Sequence, residues 1–410
     1  GFAVIAALLL GSALLLPAAL GAIARIGARA ARRPLALWFW ADARQQLPGL
    51  SLALVALLLA LAANIGVGTM VESFRTTFTT WLDQRLFADV YVDAGQGARV
   101  AEMRGWLAAR PGIETVLETR EAETTMAGWP VDVVGRPDDA AYRARWPLLE
   151  ALPGAWDRVA AGEGAMLSEQ LARRLGVGLG DRVTLPAPSE PWELEVAALY
   201  ADYGNPRGEI GVALAEMRAR WPAAEHGGFG LIVAGGASDR VMEALAARFD
   251  LGPREMADQG ALKALSTRIF EQTFAVTAAL NALTLAVAGI ALFAGLAMLA
   301  DMRLPQLAPL WAMGVTRRRL AWLELSRTVA MAGLTAVLAL PLGLLLAWVL
   351  VAVVQVQAFG WRLPLHLFPG QWASLGTLAL TLAAAAGALP ALRLARMPPA
   401  RLLKLFAEDR

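Results

Sequence analysis

Five stretches of this chain contain no Asp, Glu, Lys or Arg: residues 1–24, 45–71, 272–300, 328–361 and 363–392. Each can supply the ~20 apolar residues that cross a ~30 Å hydrocarbon core. On insertion scales a central Arg costs ~3 kcal/mol and a Leu returns ~0.5 kcal/mol, so one buried charge cancels about six leucines. Charge-free runs of this length therefore predict an α-helical integral membrane protein with five transmembrane helices, placed at 1–24, 48–71, 272–300, 325–356 and 372–392. Hydrophobic residues make up 57% of the chain, above the ~45–50% usual for soluble proteins, and the five runs hold the surplus.

Residues 72–271, between the second and third spans, read as a water-soluble domain. They carry 21 Lys+Arg against 30 Asp+Glu, whereas the other 210 residues carry 16 against 5. The pI near 9.3 thus averages two regions of opposite sign and points to no nucleic-acid partner. The excess base gathers at Arg25, Arg29, Arg32, Arg33 and Arg44, at Arg303 and Arg317 to Arg319, and at Arg393, Arg396, Arg401, Lys404 and Arg410. The positive-inside rule makes 25–47, 301–324 and the tail 393–410 cytoplasmic. The 72–271 domain and the 357–371 loop, whose single charge is Arg362, are then extracytoplasmic.

Chemistry-bearing motifs are sparse. With no cysteine, disulfides, thiolate metal sites and cysteine nucleophiles are excluded. His226 and His366 lie in unrelated segments without metal-ligand spacing. No nucleophile elbow occurs, and neither Lys263 nor Lys404 follows a phosphate loop. "GVGLGD" (176–181) follows a helix-like run and precedes a strand, the reverse of the order that aims a helix N-terminus at a phosphate, and reads as a glycine turn. Asp138 and Asp139 beside Arg136 and Arg143 read as solvated charge. No catalytic, cofactor or metal residue is expected, and the chain should not hydrolyse ATP alone. Because it opens on Gly1 and apolar sequence without a basic n-region, it is expected to be the later part of a longer protein rather than to carry a signal peptide.

The domain reads as α+β. Strand patterns lie at 88–92, 131–134, 182–185, 192–200 and 229–234, helical patterns at 98–109, 168–175 and 238–249, and turn chemistry at "GWP" (128–130). The second span continues outward at helical spacing through Phe74, Phe78 and Trp81, and the third is entered through Leu265 and Ile269. A helix over 50–86 would be roughly 55 Å long, so these residues predict stalk helices under the domain; the alternative is amphipathic helices lying on it. Within the spans, Asn64, Asn281 and the Ala62/Gly66, Ala291/Gly295 and Ala383/Gly387 spacings favour close helix packing over a substrate path.

Between spans three and four, "LPQLAPLWAMGVTRRR" (304–319) places Leu304, Leu307, Leu310, Trp311 and Val315 beside arginines. Pro305 and Pro309 predict a break from the third span and a short, separate cytoplasmic helix ending near Gly314. Such apolar surface suits headgroups or a protein groove.

"RLPQLAPLWAMGVTRRRLAWLELSR" resembles the signature region of FtsX/MacB-type ABC transporter permeases, with Arg303, Leu310, Gly314 and Glu324 on the pattern and Gln306 and Trp311 departing from it. "LPALRLARMPPARLLK" (389–404) is similar to the family's closing motif at Pro390, Arg393, Ala395, Pro399, Leu403 and Lys404. "AMLSEQLARRLGVGLGDRVTL" (165–185) resembles the MacB-like periplasmic core domain, and "ADYGNPRGEI" (201–210) a loop of the ten-span, lipid- or lipoprotein-associated branch. With 42–75, the likeness spans nearly the whole chain. It implies a multi-pass protein of the inner membrane with its domain in the periplasm, here spans six to ten of ten. Leu304, Leu307, Leu310, Trp311 and Gly314 would form the coupling helix for a cytoplasmic ABC ATPase encoded separately. Nucleotide-driven motion would pass through the stalk to act on lipids, a lipoprotein or another periplasmic client; the alternative is a non-transporting mechanotransmitting scaffold or sensor.

Overall fold

The computed structural model describes residues 1–222, 226–312 and 314–396, as backbone alone over 300–312. In chain order it contains α1 (Phe2–Ala30), α2 (Pro34–Arg85), β1 (Val90–Gly95), α3 (Ala98–Ala108), β2 (Ile113–Met126), β3 (Trp129–Arg136), α4 (Ala140–Arg145), β4 (Leu148–Ala151) and α5 (Ala155–Ala160). There follow β5 (Gly164–Ser168), α6 (Glu169–Leu175), β6 (Arg182–Leu185), β7 (Trp192–Tyr200), β8 (Gly208–Ala213), α7 (Leu214–Arg220), β9 (His226–Val233), α8 (Ser238–Phe249) and β10 (Met256–Asp258). The chain continues with α9 (Gln259–Ala312), α10 (Arg317–Val349), a π-helical turn (Leu350–Val354), α11 (Gln355–Phe359) and α12 (Pro369–Arg396). Five of the described helices are long and apolar enough to cross a membrane. Within 25–47 only Ala31, Arg32 and Arg33 lie outside helix.

Contacts divide the chain into two compact units. The first holds residues 1–73, 274–354 and those from 364 onward, built from α1, α10, α12 and the adjoining parts of α2 and α9. Leu54, Leu57, Leu61, Ala288, Leu292, Ala332, Ala339 and Ala383 form its core. Small residues let the backbones approach: a Cβ on Gly343 of α10 would lie 2.6 Å from Ile65 Cβ and 3.0 Å from the Ala62 carbonyl oxygen of α2. In a bilayer lipid is as apolar as leucine, so helices associate through such close packing and a few hydrogen bonds. Asn64 supplies one, donating from Nδ2 to Thr284 Oγ1 of α9 at 3.0 Å, in keeping with a packing role. Arg327 of α10, 2% exposed, is paired with Glu324 one turn away and with Asp42 of α2. Asp42 also accepts from Gln46 at 2.8 Å.

The second unit holds residues 74–273 and 355–363. Its ten-stranded mixed sheet has the order β10-β1-β9-β2-β3-β8-β5-β7-β4, with β6 on β7. β3 with β8 and β5 with β7 are parallel; the other pairs are antiparallel. α3 and α8 cover the β1-β9-β2 portion through Val100, Met103, Leu107, Val241 and Leu245. α6 and α7 cover the β3-β8-β5 portion through Leu171, Ala172 and Met217. The turn expected at 128–130 falls one residue earlier: Ala127 (φ 49°) and Gly128 (φ 73°) form a two-residue hairpin, and Trp129 and Pro130 already pair in β3. Hairpin turns whose twist matches the strands need positive φ, which Gly128 adopts without a Cβ penalty. "GVGLGD" is a turn between α6 and β6, with Gly176 capping α6 at φ 72° and Asp181 Oδ2 accepting from Gly178 N at 2.8 Å.

One expectation is corrected. The third span and the 304–312 segment form a single helix, α9, whose backbone runs through Pro305 and Pro309 to Ala312. Each proline removes one N–H and crowds the carbonyl four residues back, which bends a helix and need not end it; membrane helices tolerate this. Gly314, at φ 94°, and Thr316 before α10 make the turn. The side chains of Leu304, Leu307, Leu310 and Trp311, and all of 397–410 with Pro399, Leu403 and Lys404, lie outside the described residues.

Candidate functional site

The second unit draws three separate chain segments into one buried junction. Phe74 and Phe78 are one helical turn apart on α2, so their rings share a face; Phe270 of α9 lies 5.1 Å from the first and stacks at 5.2 Å on the second. Trp361, on the loop after α11, closes the cluster at 5.3 Å from Phe74 and 5.0 Å from Tyr203, and is only 3% exposed. Trp81 stacks on Phe78 and donates from Nε1 to the Ala201 carbonyl at 2.9 Å. Aromatic pairs of this kind contribute about 0.5–1.5 kcal/mol each beyond area burial.

The last turn of α2 ends in charge. Arg85 reaches Asp202 Oδ1 and Glu209 Oε2, both at 3.2 Å. Glu209 also accepts from Arg136 at 2.5 Å and from the Tyr200 hydroxyl at 2.7 Å, while its own N–H donates to Ser168 Oγ at 3.0 Å. Both guanidiniums stack over Trp146, at 4.5 and 4.2 Å from the ring centre. Burial alone would push the Glu209 carboxyl up, but Arg85, Arg136 and the Tyr200 hydroxyl outweigh it and hold it well below the usual carboxylate range. Asp202 goes the other way: burial and the neighbouring Glu209 charge raise it to about 6, against the pull of Arg85 and Asn205. Asn205 Nδ2 donates to Asp202 Oδ2 at 2.9 Å, and Gln170 Nε2 donates to the Asp202 carbonyl at 3.2 Å.

The 355–363 segment is tied down beside this network. The Arg362 N–H donates to Glu169 Oε2 at 2.9 Å. Gly360 turns at φ 79° against Gln170, where a Cβ would sit 3.1 Å from Gln170 Cβ. α9 is joined to α2 a second time through Lys263 and Asp83 at 2.7 Å. Among the described residues there is no group of three His, Asp or Glu that could hold a metal. α2, α9 and the loop after α11 thus meet at one cluster.

Of the stalk residues read from sequence, the structure brings Phe74, Phe78 and Trp81 together and leaves Leu265 and Ile269 outside, 52% and 57% exposed. Phe270 is the α9 residue at the junction. Leu265 instead lines an open cleft of about 770 Å³ whose floor includes Gly228 and Gly230 of β9. The solvated reading holds for Arg143, which pairs with Asp138 at the surface, and is corrected for Arg136, which is 9% exposed and bound to Glu209. Sequence reasoning missed Arg85, Trp146, Tyr200, Phe270 and Trp361. The one sequence signal near them was "ADYGNPRGEI", which supplies partners of Arg85, Tyr200 and Trp361 in Asp202, Tyr203 and Glu209.

Two family models match the chain, one after the other. Residues 278–399 match the family model for the FtsX-like permease C-terminal region, and residues 50–249 that for the MacB-like periplasmic core domain. An uncharacterized ABC transporter permease protein of Mycobacterium tuberculosis is 31% identical over 369 residues, covering 85% of this chain and 42% of that protein. The chain thus spans under half the length of this curated relative. Among solved structures, the periplasmic region of MacB from Actinobacillus actinomycetemcomitans aligns at 11% identity and TM-score 0.31, over 44% of this chain and 92% of that one. The extracellular domain of YknZ, a noncanonic ABC-type transporter from Gram-positive bacteria, aligns at 10% identity and TM-score 0.30, over 41% and 98%.

Proposed function

The chain belongs to the FtsX-like family of ABC transporter permeases and carries a MacB-like periplasmic core domain, and from that premise we propose that it couples ATP hydrolysis in a separate cytoplasmic subunit to movement of that domain. The movement would serve export or extraction of a lipid, a lipoprotein or another hydrophobic substrate across the inner membrane. The observation that carries this reading is α9. Its backbone is helical from Gln259 to Ala312, so the 304–312 segment, which resembles the coupling helix, belongs to the same helix that meets Phe74 and Phe78 through Phe270. In this reading the ATPase groove holds Leu304, Leu307, Leu310 and Trp311, nucleotide-driven closure displaces α9, and the junction at Phe270, Trp361 and Arg85 passes the displacement into the sheet. The stalk helices need no chemistry of their own, only stiffness and a buried grip at each end.

The lack of cysteine allows a direct test. One Cys at Leu310 and another in the groove of the candidate ATPase should crosslink in membranes, with a yield that changes with nucleotide. Leu310→Asp should insert normally and lose activity, since a carboxylate in an apolar groove is left unpaired. Absence of any crosslink across several well-expressed pairs, or full activity in Leu310→Asp, overturns the coupling role. Reconstituted vesicles separate the transporter from a mechanotransmitting scaffold: release of lipid or lipoprotein that depends on ATP supports the first, and ATPase cycling without release supports the second.

A further inference from the structure

A second feature of the first unit lies where α1 hands over to α2. Arg33, Pro34, Leu35, Ala36, Phe39, Trp40, Arg319 and Leu323 line a pocket of about 610 Å³, within the range of small-molecule sites. Its walls are apolar and built. Trp40 lies flat against α1 at Gly27, where a Cβ would sit 2.5 Å from the indole ring, and Phe39 meets Trp40 edge-on at 5.5 Å. Its mouth is positive. Arg33 and Arg319 are exposed, and among the described residues neither has a carboxylate partner. Two long helices also begin here, α2 at Pro34 and α10 at Arg317; a helix N-terminus carries about half a positive charge and unpaired N–H groups.

The residues next in sequence show which phase the pocket faces. Ile26 (64% exposed) of α1 precedes Gly27, Leu37 of α2 follows Ala36, and Trp322 (70% exposed) of α10 precedes Leu323. Large exposed apolar side chains, with a tryptophan one turn from an arginine, are the composition of a membrane–water border. A ligand matching these walls must be anionic at one end and apolar at the other. We infer that this pocket binds one anionic phospholipid of the cytoplasmic leaflet, its phosphate between Arg33 and Arg319 and the upper part of its acyl chains along Phe39, Trp40 and Leu323.

Native mass spectrometry of the full chain, taken from nanodiscs of equal phosphatidylglycerol and phosphatidylcholine, tests the assignment by the ratio of the two lipids retained. Each arginine near a charged lipid surface is worth about fivefold in preference. Arg33→Gln and Arg319→Gln should each lower the phosphatidylglycerol ratio about fivefold and the double variant about 25-fold. Arg29→Gln, an exposed arginine outside the pocket, should leave it unchanged. A ratio unaltered in the double variant overturns the site, as does an equal fall in Arg29→Gln, which would reduce the effect to general surface charge. Gly27→Leu, which drives Trp40 from its seat, adds a variant that leaves both arginines in place, and it should lower retention of phosphatidylglycerol. If the double variant loses a co-purifying ATPase while its lipid ratio stays constant, the pocket is a protein dock and the inference fails. Both arginines are exposed, so their replacement should leave elution and near-UV dichroism as in the parent chain.

Discussion

The first unit brings its helices together at Gly343, whose α-carbon faces Ile65 and the Ala62 carbonyl, whereas the second closes around Glu209, which takes hydrogen bonds from Arg85, Arg136 and Tyr200. The proposed function puts the first unit in lipid and the second in water, and the contrast is the one those two solvents would produce. Between apolar spans nothing is gained by moving a leucine from lipid to protein, so closeness of backbones is the main source of attraction. In water, burying apolar surface stabilises by about 25 cal/mol per Å², and this can carry several desolvated charges provided each is answered. Volume should therefore be the sensitive variable in the first unit, and charge in the second.

The largest effect is expected at Glu209. Glu209→Gln changes the side chain's size little but leaves two buried guanidiniums facing one remaining carboxylate, Asp202. Removing one partner of a buried pair costs about 3–5 kcal/mol. A thermal melt of the full chain in detergent, followed by near-UV dichroism, should show the domain unfolding at markedly lower temperature. An unchanged melt would mean that the network adds nothing, and the comparison would break.

Gly343→Val should come next, at about 3 kcal/mol, since the new side chain meets the branched Ile65 side chain and, behind it, the Ala62 carbonyl oxygen. Limited proteolysis should find the loss in the helical unit, with the domain still resistant. Equal resistance to Gly343→Val in both units would remove the argument from volume.

The smallest effect is a pH dependence. Asp202, raised to about 6, favours the protonated form in the fold, so its contribution is full below its ordinary value near 4 and is lost as pH rises through about 6. Glu209, lowered in the fold, contributes above its ordinary value near 4.5 and loses that contribution as pH falls below it. The domain should therefore be somewhat more stable near pH 5 than at pH 7, and should weaken again below about pH 4. Asp202→Asn should flatten the slope between pH 5 and 7 while leaving the acid limb in place. A wild-type melt that is level across pH 5 to 7 would contradict the assignment at Asp202.

The parts of this fold that were legible in sequence are those where one physical rule acts alone. Charge-free runs marked the five helices that are long and apolar enough to cross a membrane. β6 and β7 were placed at the observed residues because their outward positions, such as Arg182, Thr184 and Glu193, alternate with buried Val183, Leu185 and Leu194. β5 and β8 were missed because every residue is buried, so "GAMLS" and "GEIGVA" show no alternation. The junction was half legible. Helical spacing picked out Phe74, Phe78 and Trp81 on α2, but on α9 it favoured Leu265 and Ile269 over Phe270, because apolar periodicity finds a face without saying what the face meets. Arg136 and Glu209 lie 73 residues apart, and no local pattern connects them. Trp361, in an irregular loop, has no period at all.

The prolines of α9 have a consequence for how that helix would carry load in the proposed coupling. Pro305 and Pro309 are four residues apart, so the N–H groups they lack would have served the carbonyls of Asp301 and Pro305, themselves one turn apart on the same side. The rod is thus notched along a single edge. A rod notched in this way would bend more easily about one axis than about the axis at right angles. Pushing on its far end would swing it in a direction written into the chain, whatever the angle from which the push arrives.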